Sequence, residues 1–569
     1  MALDDAFSKL LDADLYARQA QTFPVLTDEQ VALAKPYGTV ESLSKGTVLF
    51  ERGDRNGDFF IVLEGNIEIF AYGPDGLYVF VVHDKHQFSG DVNLLNDRRL
   101  LVGGRMGEDG QVLRMNPAQF HRFMSAEPEI SEMIVQAFIL RRMGLVSLKQ
   151  GSITLIGCRQ CAQSLRIERF LRRNGYPIDI IDYATSERDQ PFIKELHIEE
   201  DKLPVVVIHQ KRQLIYNPSN HELAESLGMI EVLEPGHVYD VAVVGGGPAG
   251  LSAAVYAASE GLDVVLLEYD APGGQAGSSS RIENYLGFPT GISGQELADR
   301  AQVQAHKFGA KIALPFLIEK INCDRTPFEL INEDETQILA KTVVVASGAR
   351  YRKLPFEHHF DNAGIYYAAT AMENSLCKNE EIIVVGGGNS AGQAAIYLSA
   401  QAYHVHMLVR GDGLAASMSE YLIDRINASP KITLYTQTEI TALDGGYHLE
   451  NITWHNRKTG ETETRPIRHV FLMIGASPNT GWLKDCVDLD ERGFVRTGAQ
   501  LVDNTEWQLE RPPMMLETSM PGIFVAGDVR SGSIKRVASA VGEGAMAISH
   551  VHQYLATLQP NHDPVLAVL

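Results

Sequence analysis

The sequence predicts a multidomain chain of three fold types: a β-roll plus helix, a small α/β module, and a long α/β region built on two strand–glycine-loop–helix units. Three observations predict this. Between Pro24 and about Arg122, short apolar runs (KGTVLFERGD, DFFIVLEGNIEIF, GLYVFVVHD) are punctuated by glycine, the texture of an antiparallel barrel or roll. From Ser152, strand and helix patterns alternate over about eighty residues. From Tyr239 to about Tyr554, two apolar strands each run into a glycine-rich loop and then a helix, and the two units echo one another.

Composition sets the outer bounds. At 569 residues and roughly 150 residues per domain, about four domains are expected. Hydrophobic residues at 45% and charged residues at 21% are ordinary globular values, which exclude a disordered or collagenous chain. The formal charge of −22 argues against a nucleic-acid partner held by attraction to phosphate. No run of about 18 uncharged apolar residues exists, so no membrane span is expected. The amino terminus, MALDDAFSKLLDADLYARQ, is acidic and amphipathic, unlike a signal peptide, so a cytoplasmic location is expected. Five cysteines in so long a chain do not make a secreted disulfide framework, and a reducing compartment fits. Cys158 and Cys161 are separated by two residues, whereas Cys323, Cys377 and Cys486 stand alone.

Met1 to Phe23 reads as a helical lead-in to the roll. Glu129–Gln150 turns helical, with Ile130, Ile134, Phe138, Leu145 and Leu148 at near-heptad positions; this stripe suits either a dimer seam or packing on its own roll. The next block predicts strand Ile153–Ile156, helix Ser164–Asn174, strand Ile178–Ile181 and helix Gln190–Leu196. Strands Val205–Ile208 and Leu214–Tyr216 follow, then helix His221–Leu227, stopped by Gly228. A linker, VLEPGHV, leads into the long region. The expected domains are 1–150, 151–230, a split domain of 239–354 with 478–569, and an insertion at 355–477.

The glycine loops carry the first chemistry. Strand Tyr239–Val244 enters Gly245-Gly246-Gly247-Pro248-Ala249-Gly250 and then a helix. Gly245 permits the tight turn, Gly247 lets backbone amides approach a pyrophosphate, and Gly250 allows close helix–strand packing. Glu268 ends the next strand, where an acid accepts from a ribose hydroxyl. The second loop places Gly386, Gly388 and Ala391 in the motif positions, with Asn389 and Ser390 between them. No acid ends its second strand; Arg410 stands there, which favours a 2′-phosphate and so NADPH over NADH. The plainer alternative is a solvated surface arginine.

PGGQAG (Pro272–Gly277), IENYLGFP (Ile282–Pro289), VVVASGA (Val343–Ala349), MIGASPN (Met473–Asn479) and GIFVAGDV (Gly522–Val529), together with the two loops, resemble the thioredoxin reductase branch of two-dinucleotide-binding-domain flavoproteins. The resemblance covers about 315 residues. It implies FAD in the split domain, held by Gly245, Gly247, Gly250, Glu268, Gly274, Gln275, Asn284 and Asp528. It implies NADPH, with NADH the alternative, in the inserted domain at Gly386, Gly388, Asn389, Ser390, Ala391, Arg410 and Gly475. A homodimer is also implied. The departures are specific. Where the family carries its redox-active cysteine pair, this chain has Ala368 and Ala371, and Cys377, six residues on, reads as a buried small hydrophobe. Further arginines of the family's 2′-phosphate cluster are replaced by Gly411 and Ala415. Pro272–Gly277 also lacks the cysteine pair of other disulfide-reductase branches.

One cysteine pair remains. Cys158-Arg159-Gln160-Cys161 follows strand ITLIG and opens a helix. There the helix amides stabilise a Cys158 thiolate, and Cys161, one turn on, can resolve a mixed disulfide. Zinc binding is a competing use without a matching second ligand pair, and inert cysteines are another; no metal is expected. With Lys202-Leu203-Pro204-Val205 ahead of its third strand, this block resembles a glutaredoxin or thioredoxin fold, which implies a cis Pro204 facing the two sulfurs. The combined expectation is an NAD(P)H-dependent disulfide oxidoreductase with catalytic residues Cys158 and Cys161, passing electrons to a thioredoxin-like or other disulfide partner. A flavin-only reductase of the ferredoxin or flavodoxin type, an NADPH oxidase, and a redox-sensing regulatory protein are the alternatives.

The roll, from about Pro24 to Gln150, resembles the cyclic-nucleotide-binding fold of the catabolite activator type, in KGTVLFERGD, DFFIVLEGNIEIF and FSGDVNLL. The family's ribose-binding Gly-Glu pair is Gly90-Asp91 here. Arg98-Arg99 come early, and Leu100-Leu101 occupy the expected positions of the phosphate-binding arginine. Retention of a cyclic nucleotide is therefore not expected, and the roll reads as a docking or dimerising module. No helix-turn-helix follows it.

Overall fold

A computed structural model describes residues 15–558, apart from 56, 74–75, 91, 96–98, 148–152, 159–160, 185–189, 209–212, 280–281, 357–359, 361–362, 368, 370, 447, 502–506 and 508. The chain forms two compact units, Met1–Arg159 with Arg166–Val232 and Gln302–Pro315, and Gln160–Leu165 with Leu233–Ala301 and Phe316–Leu569.

In the first unit the glycine-punctuated runs form two antiparallel sheets. One orders Thr39–Leu43, Gly110–Met115 and Phe59–Glu64; the other orders Val48–Phe50, Gly103–Met106, Ile67–Gly73 and Gly76–His83. Two helices start on capping boxes, Thr27 with Gln30 and Asn116 with Gln119, each satisfying two otherwise orphaned backbone donors. Phe59, Phe88, Phe120 and Phe138 form the aromatic centre of the core, with the Phe59 and Phe120 ring centroids 4.6 Å apart. The predicted stripe helix runs Pro128–Ser147 and buries Ile130, Ile134 and Phe138 in that core. Of the two uses of the stripe, packing on its own roll is what these three residues do. Leu148 lies outside the described residues, as do Asp91, Arg98 and the first fourteen residues of the lead-in, which is helical over Leu15–Thr22.

The module places Ile153–Gly157, buried at every position, at the centre of a four-stranded sheet. Asp179–Asp182 lies parallel to it on one side; Val205–Ile208 and then Gln213–Tyr216 are antiparallel on the other. Helices Ala162–Arg173, Gln190–Glu195 and Asn220–Leu227 fall where the sequence predicts them, within two residues at each end. Ser219 and Glu222 cap the last helix, and Gly228 ends it at φ 66°, the left-handed conformation that glycine adopts without strain. The Leu203–Pro204 peptide bond is cis.

In the second unit, Val264–Leu267, Val238–Val244 and Gln337–Val345 lie parallel and in that order. Their near-continuous apolar composition is that of strands covered on both faces. Phe328–Asn332 and Ile318–Asn322 continue the sheet antiparallel, and Ile523–Val525 returns late in the chain to pair with Gln337–Val345. Between these segments sits a parallel sheet of Ile365–Tyr366, His469–Leu472, Glu381–Val385, His404–Val409 and Ile432–Thr436. The two chain passages that flank it, Ala349–Tyr351 and Ala476–Pro478, pair antiparallel. Helix Val537–Leu558 packs on helix Pro248–Ser259 so closely that a Cβ on Gly544 would lie 2.2 Å from the Ala249 carbonyl oxygen.

One expectation is corrected. Cys323 and Cys486 are not lone cysteines but a disulfide, with Cα atoms 6.1 Å apart and a sequence separation of 163. The fold brings the end of strand Ile318–Asn322 beside the turn after Gly481–Leu483, a juxtaposition that local sequence pattern does not encode.

Candidate functional site

The three glycines of the first loop have three different reasons to be glycine. Gly245 has φ 105°, and a Cβ there would lie 2.4 Å from the Ala346 carbonyl oxygen. A Cβ on Gly250 would lie 1.8 Å from the Gly245 carbonyl oxygen, so the helix can approach the strand only without one. Gly247 is different: φ is −72°, and the nearest atom to its Cβ position is Gly274 Cα at 4.0 Å. The protein leaves room there. Gly247 is also the N-cap of helix Pro248–Ser259 and offers no side-chain cap, so the first-turn amides face outward at the positive end of the helix dipole. An open glycine cradle at an uncapped helix start fits a pyrophosphate, and with it FAD.

Glu268 follows strand Val264–Leu267, as expected, but it also braces the loop. Its Oε2 accepts from Gly246 N at 2.6 Å and its Oε1 from Asp270 N at 2.8 Å. A carboxylate has about four lone-pair sites, so accepting from a ribose hydroxyl is compatible with both bonds. Gly274 opens the short helix Gly274–Gly277 at φ 52°, and the Gln275 side-chain amide donates to the Ala349 carbonyl. Asn284 is exposed in the loop closed by the Ile282–Ile292 bridge. Asp528 lies in the turn after Ile523–Val525, where burial raises its carboxyl pKa against the opposing pull of Lys535. Glu543 was not legible in the sequence. Its carboxylate accepts from Gly527 N at 2.7 Å and from Arg530 Nη2 at 2.5 Å, tying the turn that carries Asp528 to the long helix.

The second loop repeats the pattern. Gly386 has φ 138° with its Cβ position 2.3 Å from the Met473 carbonyl oxygen, while Gly388, the helix N-cap, meets only Ser417 O at 3.9 Å. The Asn389 side-chain oxygen accepts from Ser419 N at 2.7 Å, Ser390 is exposed, and Ala391 is fully buried against the strand. Gly475 has φ 93° with open space at its Cβ position. Arg410 is exposed just past strand His404–Val409, and its carbonyl accepts from Arg457 Nη2 at 2.5 Å. A second guanidinium therefore stands beside the strand end where the sequence supplied only one. These features fit a dinucleotide carrying an extra phosphate.

Cys158 sits just beyond the central strand Ile153–Gly157, and Cys161 just before helix Ala162–Arg173, where its carbonyl accepts from Leu165 N. Neither belongs to the Cys323–Cys486 disulfide, and both are half-buried. Arg159 and Gln160, between them, lie outside the described residues, as does Ala368; Ala371 begins helix Ala371–Leu376. Cys377 is fully buried, and desolvation pushes its thiol pKa up. Among the described residues no cluster of three or more His, Cys, Asp and Glu could hold a metal ion, and no helix is long and apolar enough to cross a membrane.

Two glycine-loop domains, one inserted into the other and each ending a parallel strand at an uncapped helix, define a nucleotide-dependent oxidoreductase core. Residues 239–544 match the family described as pyridine nucleotide-disulphide oxidoreductase, and the chain belongs to that family. Residues 40–127 match the cyclic nucleotide-binding domain. A thioredoxin reductase of Treponema pallidum (strain Nichols) is 35% identical over 323 residues, 56% of this chain and 98% of that protein. NADPH-dependent thioredoxin reductase 3 of Arabidopsis thaliana is 33% identical over 331 residues, 56% of this chain but 59% of that protein, so the chain spans little more than half of that relative. The crystal structure of Lactococcus lactis thioredoxin reductase (FR conformation) superimposes with a TM-score of 0.50 at 29% identity, covering 56% of this chain and 99% of that one. The core is that of an FAD-dependent NAD(P)H oxidoreductase.

Proposed function

We propose that this chain is an NADPH-dependent disulfide reductase whose electrons leave through Cys158 and Cys161 of its own glutaredoxin-like module, residues 151–230. The observation that carries the reading is the placement of this pair. It sits between the end of a buried central strand and the start of a helix, in a βαβαββα module with a cis Leu203–Pro204 bond, whereas the family core has alanine at 368 and 371.

The Gly245–Gly250 loop, Glu268, Gly274, Gln275, Asn284 and Asp528 hold FAD across 239–354 and 478–569. Gly386, Gly388, Asn389, Ser390, Ala391, Gly475 and the Arg410–Arg457 pair hold NADPH in 355–477. Bound FAD supplies the two-electron relay between nicotinamide and disulfide. Two electrons and two protons convert the Cys158–Cys161 disulfide to two thiols. The Cys158 sulfur attacks the partner's disulfide as its thiolate: a Cys158–partner bond forms and the partner's other sulfur leaves as a thiolate. Cys161 then attacks Cys158 Sγ, which restores the internal disulfide and releases the second partner thiol. The balance is NADPH, one proton and one disulfide to NADP⁺ and two thiols. A thioredoxin-like protein fits as partner, in a cytoplasmic homodimer.

The test is Cys158→Ser in the FAD-loaded chain. NADPH-driven reduction of a small aromatic disulfide is expected to fall at least a hundredfold. Anaerobic bleaching of the flavin by NADPH, followed alongside, reports hydride entry separately. Disulfide turnover equal to that of the parent protein would sink the reading and favour flavin-only reduction of a non-thiol acceptor.

A further inference from the structure

Among the described residues the roll carries a partly open cavity lined mostly by apolar side chains, with Asp58, Ser89, His83 and Arg141 also on its wall. Leu100 and Leu101, at the positions where the fold resemblance expects the phosphate-binding arginine, are each 6% exposed and line it with Phe50, Phe80 and Leu94. The space open to the centre of a water molecule is about 60 Å³, against roughly 10–15 Å³ for one water on the same measure; a compact organic ring fits. Phe23, Phe50 and Phe80 put three aromatic rings on its wall.

Two basic side chains reach the cavity. Arg141 donates through Nε to the Thr22 carbonyl and through Nη1 to the carbonyls of Phe88 and Gly90, and its guanidinium lies 4.7 Å over the Phe88 ring. His83 is 2% exposed, and its Nδ1 is buried with no hydrogen-bond partner. Burial, and then Arg141, hold the His83 pKa well below its usual value, so the ring is neutral. A neutral imidazole exchanges one hydrogen bond with a hydroxyl and gives no charge attraction to an anion. A buried ring nitrogen without a partner is costly unless a ligand supplies one.

We propose that the roll binds a compact uncharged aromatic bearing one hydroxyl, a phenol, with its ring against Phe50, Phe80, Leu100 and Leu101 and its hydroxyl on His83 Nδ1. This assigns the domain a ligand class that the disulfide-reductase reading neither requires nor supplies.

The test is calorimetric titration of the dialysed full-length flavoprotein with phenol, toluene and cyclic AMP. Phenol is expected to bind saturably at one site per chain. Toluene, the same shape without the hydroxyl, is expected to bind about fivefold more weakly, the usual worth of one hydrogen bond. Cyclic AMP is expected to give no binding heat and to leave the phenol isotherm unchanged. His83→Phe keeps the cavity apolar and is expected to make phenol and toluene equal; Leu101→Trp fills it and is expected to abolish both. Displacement of phenol by cyclic AMP, equal binding of phenol and toluene to the parent protein, or no saturable phenol binding would each overturn the proposal, and all three are read without any variant.

Discussion

Gly247 and Gly250 stand three residues apart in one loop, yet alanine at each should fail in a different way. At Gly250 the new Cβ would lie 1.8 Å from the Gly245 carbonyl oxygen and 3.0 Å from its carbon. Both are backbone atoms, so the helix must back away from the strand; overpacking of this kind costs about 1–3 kcal/mol. At Gly247 nothing of the protein comes nearer than 4.0 Å, and φ of −72° with ψ of −177° is ordinary for alanine. Alanine there loses less unfolded-state freedom than glycine, worth about 0.4–1 kcal/mol, but is a poorer N-cap by a similar amount, so the stability of the flavin-free protein should change by less than about 1 kcal/mol. The open space is where the pyrophosphate is placed, so the same methyl should weaken FAD binding at least about tenfold, or about 1.4 kcal/mol. Flavin is stripped, thermal unfolding of the apoprotein is recorded, and FAD is titrated back by quenching of its fluorescence. Gly247→Ala should stay near the parent apoprotein in Tm and fail in FAD affinity; Gly250→Ala should fall in Tm before any flavin is added. Parent-like FAD affinity in Gly247→Ala refutes the assignment of that cradle.

His469, buried in the central parallel strands and 3.3 Å from the Tyr366 hydroxyl, is pushed down to about 4 by desolvation and then Arg468. The unfolded chain therefore takes up this proton first. Stability present above about pH 6.5 is lost as pH falls toward 4, by about 3 kcal/mol at most, and His469→Gln should flatten that slope in amide exchange of strand His469–Leu472. Arg410→Ala combined with Arg457→Ala should raise KM for NADPH about tenfold and leave NADH unchanged, since a 2′-phosphate distinguishes the two; equal effects on both cofactors would remove the phosphate assignment. Phe138→Ala opens a cavity in the aromatic centre of the roll and should cost about 3–5 kcal/mol, measured as loss of hydrogen-exchange protection in strand Phe59–Glu64.

Most of the architecture was legible because its signals are local. Parallel strands such as Val264–Leu267 are unbroken apolar runs, and Gly245, Gly250 and Gly386 answer constraints set by atoms within the loop or in the adjoining strand end. What escaped came from pairings that only the fold creates. Cys323 meets Cys486 across 163 residues; Glu543 reaches Gly527 and Arg530 from the final helix; Arg457 reaches Arg410 from an antiparallel strand end. The stripe of Ile130, Ile134 and Phe138 was visible, but an apolar stripe states that a helix is covered and not by what. Glu268 does follow strand Val264–Leu267, yet its two bonds to loop amides depend on the loop returning past the strand end.

The cysteines, taken together, narrow the exit route by elimination. Cys323 and Cys486 are bonded to each other. Cys377 is fully buried, and desolvation pushes its pKa up, which removes the thiolate that attacks a disulfide. Alanine at 368 and 371 leaves the core without the dithiol that its family resemblance expects. Of the three cysteines outside that disulfide, Cys158 and Cys161 are half-exposed and Cys377 is buried. On the proposed route through that pair, blocking it with an alkylating agent should abolish disulfide reduction completely rather than in part. If hydride from NADPH still reaches the flavin after that block, the reductase core and the thiol exit are separable functions carried by one chain.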